Sequence, residues 1–329
     1  MKKKFRKLIL FVATGILVGS LSMIGCNNSN EEKVVIYTNA DDEAVEAMKK
    51  ALDSNGYENK YLMQSFGTSE LGGKLLAEGK DIEADLITMS SFYIDSAQDQ
   101  KNMFTDLTFD TGAIEKYPSY YTPITAQEGT IIYNTEEMKK NNLSIPTSIK
   151  DLQNPIYKGM LSITDIKSSS TAWLLIQALI SEYGEDEAKS ILKDIYANAG
   201  EHIESSGSAP IKKVRAGEVA LGFGLRQKAV SDKKEGLPID YVDPKEGNFV
   251  LTESLAVVDK GKDKNDISMK MAECIIKEGR KEIIKSYPIA LYQGESTPTE
   301  DISGNIKYYK EKLTVDLLKE HQKLSEECK

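Results

Sequence analysis

The chain opens its regular patterning at Val34-Val35-Ile36-Tyr37-Thr38, a short β-branched run. Ala44, Met48, Ala51 and Leu52 follow at helical spacing, and the pattern stops at Asn55-Gly56. The order predicts strand, turn, helix. Residues 62–66 form a second, weaker strand signal that passes through Gly67-Thr68-Ser69-Glu70 into a helix carrying Leu71, Leu75 and Leu76, and residues 84–89 read as a third strand ending at Ser90-Ser91. The pattern changes character at residues 117–123, after which residues 129–134 predict a strand that leaves this first unit. Strands at 160–164, 202–204, 219–223 and 239–242 make a second unit. Residues 253–258 read as a returning strand, with a helix around Ile267, Met271 and Ile275.

Such alternation predicts an α/β fold around mainly parallel strands. Two lobes with two chain crossings leave a cleft, and ligands of α/β sheets sit beyond the carboxyl ends of the strands. The expected division is residues 33–123 plus 253–290 for lobe I, 128–246 for lobe II and 291–329 for a C-terminal helical extension. In that extension residues 307–329 predict a solvated amphipathic helix packed through Leu313, Leu317 and Leu318, with His321 in its charged tail.

Ahead of this pattern lies a different segment. Residues 1–7 carry five basic side chains, residues 8–30 carry no charge, and residues 8–18 are apolar, which is the layout of a secretory signal peptide. Leu21-Ser22-Met23-Ile24-Gly25-Cys26 resembles the lipobox of bacterial lipoproteins, with Met23 where Leu is usual. The resemblance implies a signal peptide at 1–25, a diacylglycerol on Cys26 and a polar tether at 26–32, so that the body is lipid-anchored outside the cytoplasmic membrane. An uncleaved single-pass anchor is the alternative.

Composition narrows the function. Among 329 residues, 42 are basic and 51 acidic, a formal charge of −9 that becomes −14 once the five leader cations are lost. A nucleic-acid partner is disfavoured, since that needs a basic stripe. Two histidines and three cysteines leave little for zinc clusters or histidine catalysis. Cys274 is expected as an inert buried thiol rather than half of a disulfide with Cys328. Gly-x-Ser-x-Gly, Walker, Gly-x-Gly-x-x-Gly, His-Glu-x-x-His and Cys-x-x-Cys motifs are absent, so no catalytic residue, metal ligand or cofactor is expected. His202 reads as structural and Trp173 as a core residue.

The turns after the strands hold the candidate chemistry. They contain Asn39 and Asp41; Thr68 and Ser69; Ser90 and Ser91; Ser168 with Ser169, Ser170 and Thr171; Ser205 with Ser206, Gly207 and Ser208; and Arg226. Two of these turns open helices, whose free N–H groups and partial positive charge suit an oxyanion, and a guanidinium adds a planar fork. Ordinary helix capping by serine is the competing explanation. A zwitterion would place its ammonium on Asp41 or Glu246.

Several stretches resemble the extracellular solute-binding proteins of ABC importers. They are 34–38, 84–87, Gly129-Thr130-Ile131-Ile132-Tyr133-Asn134-Thr135, 145–152, 154–159, 168–172, Ser206-Gly207-Ser208-Ala209-Pro210 and 217–222, in order across about residues 33–290. The match is to the cluster that contains binders of ferric iron, 2-aminoethylphosphonate, sugar phosphates, thiamine and polyamines. The resemblance implies a two-lobed, hinge-closing fold of the type II periplasmic-binding-protein kind, and a monomer that hands a small molecule to a permease and its ATPase subunits. Ferric binders carry a histidine-acid pair after the first strand and adjacent tyrosines after the Gly-Glu-Val strand. Here those turns read Asn39-Ala40-Asp41-Asp42 and Gly224-Leu225-Arg226-Gln227, and Tyr120-Tyr121 and Tyr308-Tyr309 lie elsewhere. The hydroxyl turns instead resemble those of phosphonate and sugar-phosphate binders. The expected ligand is therefore a small phosphonate- or phosphate-type anion or zwitterion. An iron(III) chelate, thiamine or a polyamine is the alternative, and a surface enzyme or an adhesion protein the reading from another class.

Overall fold

A computed structural model describes residues 33–329, which form one compact unit. The signal peptide, the tether and Cys26 lie outside the described residues.

The first strands and helices follow the pattern closely. They are β1 (Val34–Thr38), α1 (Asp42–Leu52), β2 (Tyr61–Ser65), α2 (Thr68–Glu78), β3 (Leu86–Ser90) and α3 (Ser91–Lys101). A 14-residue strand β4 (Tyr121–Asn134) and α4 (Thr135–Lys140) lead to β5 (Leu161–Thr164), α5 (Thr171–Tyr183), α6 (Glu185–Ala199), β6 (Ile203–Glu204), α7 (Ala209–Ala216), β7 (Leu221–Leu225), α8 (Arg226–Lys234) and β8 (Ile239–Val242). The chain returns through β9 (Asn248–Val257), α9 (Lys262–Cys274) and α10 (Arg280–Ser286), and ends with β10 (Ile306–Lys307) and α11 (Val315–Glu327).

The strands run in the order β2-β1-β3-β9-β4-β7-β5-β6. Both flanks are parallel, as β1 pairs with β2 and β3, and β5 pairs with β6 and β7. The centre is antiparallel, a departure from the mainly parallel expectation, because the two crossing strands β4 and β9 run against their neighbours. Both are longer than the sequence pattern suggests. Residues Tyr121–Glu128 of β4 pair with β9, and its residues Gly129–Tyr133 pair with β7, so one strand passes from one flank to the other. Its first half was hidden by Pro123, which sits at a register shift, and by polar residues such as Thr122, Thr125 and Glu128 that are buried.

The C-terminal segment also differs from expectation. Residues 306–307 join the sheet beside β9, and α11 begins only at Val315, capped by the Thr314 hydroxyl. This helix is not a solvated tail. Leu318, His321, Leu324, Ser325 and Cys328 are buried, and Nε1 of Trp173 donates to His321 Nδ1 at 2.6 Å. Trp173 is fully buried and packs edge-on against Phe92, with ring centroids 5.1 Å apart. Cys274 and Cys328 are free and buried. No helix of the described residues is long and apolar enough to cross a membrane.

Candidate ligand-binding cleft

A cavity of about 340 Å³ opens where the carboxyl ends of the parallel strands meet. From the β1–β3 flank it takes Asn39, Asp41, Asp42, Thr68 and Ser90. From the β5–β7 flank it takes Ser168–Thr171, Ser205–Ser208, Lys212 and Leu225. Gln127 of β4 and Leu251 and Glu253 of β9 complete it.

The location follows from local folding. Each turn links the end of a parallel strand to the next helix, so helix starts gather around one space. Ser90, Ser170 and Ser208 each stand at the N-cap position of α3, α5 and α7, and Asp41 does so for α1, yet none of these side chains makes a capping hydrogen bond. The capping explanation for these serines does not hold here. The helix starts leave partial positive charge turned toward the cavity. At the cavity the two flanks meet where Ser90 Oγ and Ser170 Oγ lie 3.2 Å apart.

Gly207 lets the two hydroxyl turns meet. A Cβ at this position would stand 2.1 Å from Thr171 Oγ1, 2.8 Å from Thr171 Cβ and 3.2 Å from Ser169 Oγ. The requirement is close approach rather than backbone conformation.

Ten of the fourteen residues singled out from the sequence line this cavity: Asn39, Asp41, Thr68, Ser90, Ser169, Ser170, Thr171, Ser206, Gly207 and Ser208. Four do not. Arg226 is buried, donating from Nε to Asp243 Oδ1 at 2.8 Å, from Nη2 to Asp243 Oδ2 at 3.2 Å and from Nη1 to the Asp301 carbonyl at 2.9 Å. Its fork is fully used by protein. Glu246 accepts from the backbone N–H groups of Ile149 and Lys150 and from the Tyr183 hydroxyl, and is 1% exposed. Ser91 bonds the Thr252 carbonyl and Ser254, and Ser69 lies in the first turn of α2 outside the cavity lining. His202 sits beside Lys213 at 3.1 Å, away from the cavity.

Sequence reasoning missed Lys212, Gln127 and Glu253. Lys212 is exposed at the cavity wall and makes no ion pair among the described residues. Glu253 is the most unusual group. It lies between Ser90 of β3 and Thr125 of β4 in the sheet register. Its carboxyl accepts from Asn39 Nδ2 at 3.1 Å and from Thr125 Oγ1 at 3.4 Å. Burial, reinforced by the nearby Asp41 charge, pushes it up to about 8. Asp41 is also raised by burial, with Lys228 pulling the other way at 3.6 Å. Burial works against ionisation of Glu43 as well, but its 2.5 Å contact with Lys228 prevails and holds it below the usual carboxylate range.

The fold and this geometry can be set beside known proteins. The model of a family described as bacterial extracellular solute-binding protein matches residues 79–275. The chain belongs to that family. A relative from Haemophilus influenzae, called an uncharacterized protein, is 25% identical over 313 residues, spanning 89% of this chain and 85% of its own. Two solved structures share the fold of this solute-binding protein. The periplasmic binding protein AfuA from Actinobacillus pleuropneumoniae, with exogenous fructose-6-phosphate bound, is 21% identical with a TM-score of 0.73, covering 90% of this chain and 97% of that one. A periplasmic thiamin binding protein is 15% identical with a TM-score of 0.74, covering 90% and 95%. This solute-binding protein therefore has the two-lobed periplasmic-binding-protein architecture, with a cleft. Family and fold are those of binding proteins rather than enzymes.

Proposed function

We propose that the cleft captures a small phosphate- or phosphonate-type anion or zwitterion, such as 2-aminoethylphosphonate, and presents it to the permease and its ATPase subunits. One observation carries this reading: two serine-rich turns, uncapped helix starts and the free ammonium of Lys212 converge on a single cavity. Hydroxyls and N–H groups aimed into a partly enclosed space hold an oxyanion without a guanidinium. Lys212 thus takes the part that the sequence suggested for Arg226. Lobe I is 33–123 with 253–290, lobe II is 128–246, and β4 and β9 are the two crossings. A diacylglycerol on Cys26 tethers the monomer outside the membrane.

The acidic wall of Asp41, Asp42 and Glu253 favours a ligand that also carries a positive charge. A pure cation such as a polyamine is the second reading, supported by that wall alone. Calorimetry with inorganic phosphate, fructose-6-phosphate, spermidine, thiamine and ferric citrate separates them. Binding confined to phosphorus-containing ligands supports the proposal, and binding of spermidine alone defeats it.

A further inference from the structure

The notable feature of the cleft is that an acid faces a site read as an anion receptor. Glu253 sits on a crossing strand, 8% exposed, and its two oxygens meet only neutral donors, Asn39 and Thr125. No cation pairs with it among the described residues. The titratable groups turned toward it are Asp41, from the turn after β1, and Tyr287, at the end of α10, whose hydroxyl lies 3.4 Å from Asp41. The nearby ammonium of Lys228, from α8, is engaged by Asp41 and Glu43, and Lys212 stands on the opposite flank of the cavity. Asn39 holds a second unused group: its amide nitrogen serves Thr68 and Glu253, while its Oδ1 is buried with no partner. An acceptor without a donor and a carboxyl without a cation thus lie side by side, joined by the Asn39 Nδ2–Glu253 hydrogen bond, in the same cavity that the hydroxyl turns line.

We propose that Glu253 and Asn39 form the cation-accepting end of the pocket, and that Glu253 releases its proton to solvent when a ligand's protonated amine arrives. In the empty protein at neutral pH the carboxyl is mostly protonated, since its ionised form would be buried beside Asp41 without a counter-charge. The incoming amine supplies that charge. A ligand of the same shape without the amine leaves the proton in place. Because the anion end positions the ligand, this inference rests on the proposed function, and the test keeps the two apart.

Phosphoethanolamine and ethyl phosphate differ by one amine, and at pH 7.5 both phosphates are largely dianionic. Calorimetry of the protein in two buffers of unlike ionisation enthalpy counts the protons released. With a carboxyl near 8, phosphoethanolamine should release roughly three quarters of a proton more than ethyl phosphate. Its affinity advantage should be at least about tenfold, grow from pH 6 to pH 8.5 and then level off. In Glu253→Gln both the proton difference and the pH dependence of that advantage should vanish, with a thermal melt confirming the fold. Equal proton counts for the two ligands in the wild-type protein, or an advantage untouched by Glu253→Gln, would overturn the role of Glu253 alone. Ethanolamine binding as tightly as phosphoethanolamine would overturn the anion reading alone. No binding of any of the three would overturn both.

Discussion

Gly207→Ala isolates the meeting of the two hydroxyl turns. The new methyl carbon would stand 2.1 Å from Thr171 Oγ1 and 2.8 Å from Thr171 Cβ. Rotating the threonine relieves the first contact but not the second, because Cβ is fixed to the backbone. Restoring ordinary spacing requires the turns to part by about 1 Å, which carries a 2.9 Å hydrogen bond past the distance at which it counts as one. A hydrogen bond to a charged ligand contributes about 1.5–3 kcal/mol, so losing one lowers affinity roughly 10- to 100-fold. The overpacking itself costs about 1–3 kcal/mol of stability. Calorimetry with phosphoethanolamine measures the first effect, and urea unfolding the second. A variant of lowered stability that retains wild-type affinity would refute the claim that both turns grip the ligand together.

Other substitutions test the remaining assignments. Arg226→Ala removes a buried guanidinium from Asp243, which is 28% exposed and keeps Asn248 as a donor, so urea unfolding should show a loss of about 1–3 kcal/mol, while affinity of the folded protein changes less than about threefold. Glu253 holds a proton in the folded state from about pH 4.5, its unfolded value, up to about 8. The unfolded chain binds fewer protons over that window, so stability falls as pH rises through it. Glu253→Gln should flatten that decline and raise the melting temperature at pH 8.5. His321 behaves oppositely: burial lowers its pKa, and Trp173 donates to its Nδ1, so the neutral ring contributes stability above pH 6.5 that is lost on acidification below it. Acid titration followed by Trp173 fluorescence should show this transition, and His321→Gln should remove its pH dependence.

The flanking strands were legible because each is a compact β-branched run followed by an apolar stripe at helical spacing, as in residues 34–52. The crossing strands were only half legible. Their buried centre is lined by hydroxyls and acids whose partners lie across the sheet, so local patterning takes them for loop. The serine turns were legible since strand–turn–helix order alone places them at one end of the sheet. Arg226 misled for the converse reason: it follows a strand end, but its fork is claimed by Asp243, seventeen positions on, and by the Asp301 carbonyl in the C-terminal segment. Glu253 did leave a signal, a lone acid inside the apolar and hydroxyl run 248–257, a place where an ordinary strand puts no charge. The C-terminal helix reads as solvated by its charge content, while its buried face combines Val315, Leu318 and Leu324 with His321 and Ser325, polar residues that widen the face beyond its few apolar positions.

The most direct measurement is a crystal structure of the protein grown with phosphoethanolamine. The account predicts phosphate density within hydrogen-bonding distance of Ser169–Thr171 and Ser206–Ser208, with the amine toward Glu253. Ligand density elsewhere on the protein, with this cleft holding only solvent at saturating ligand, would contradict it.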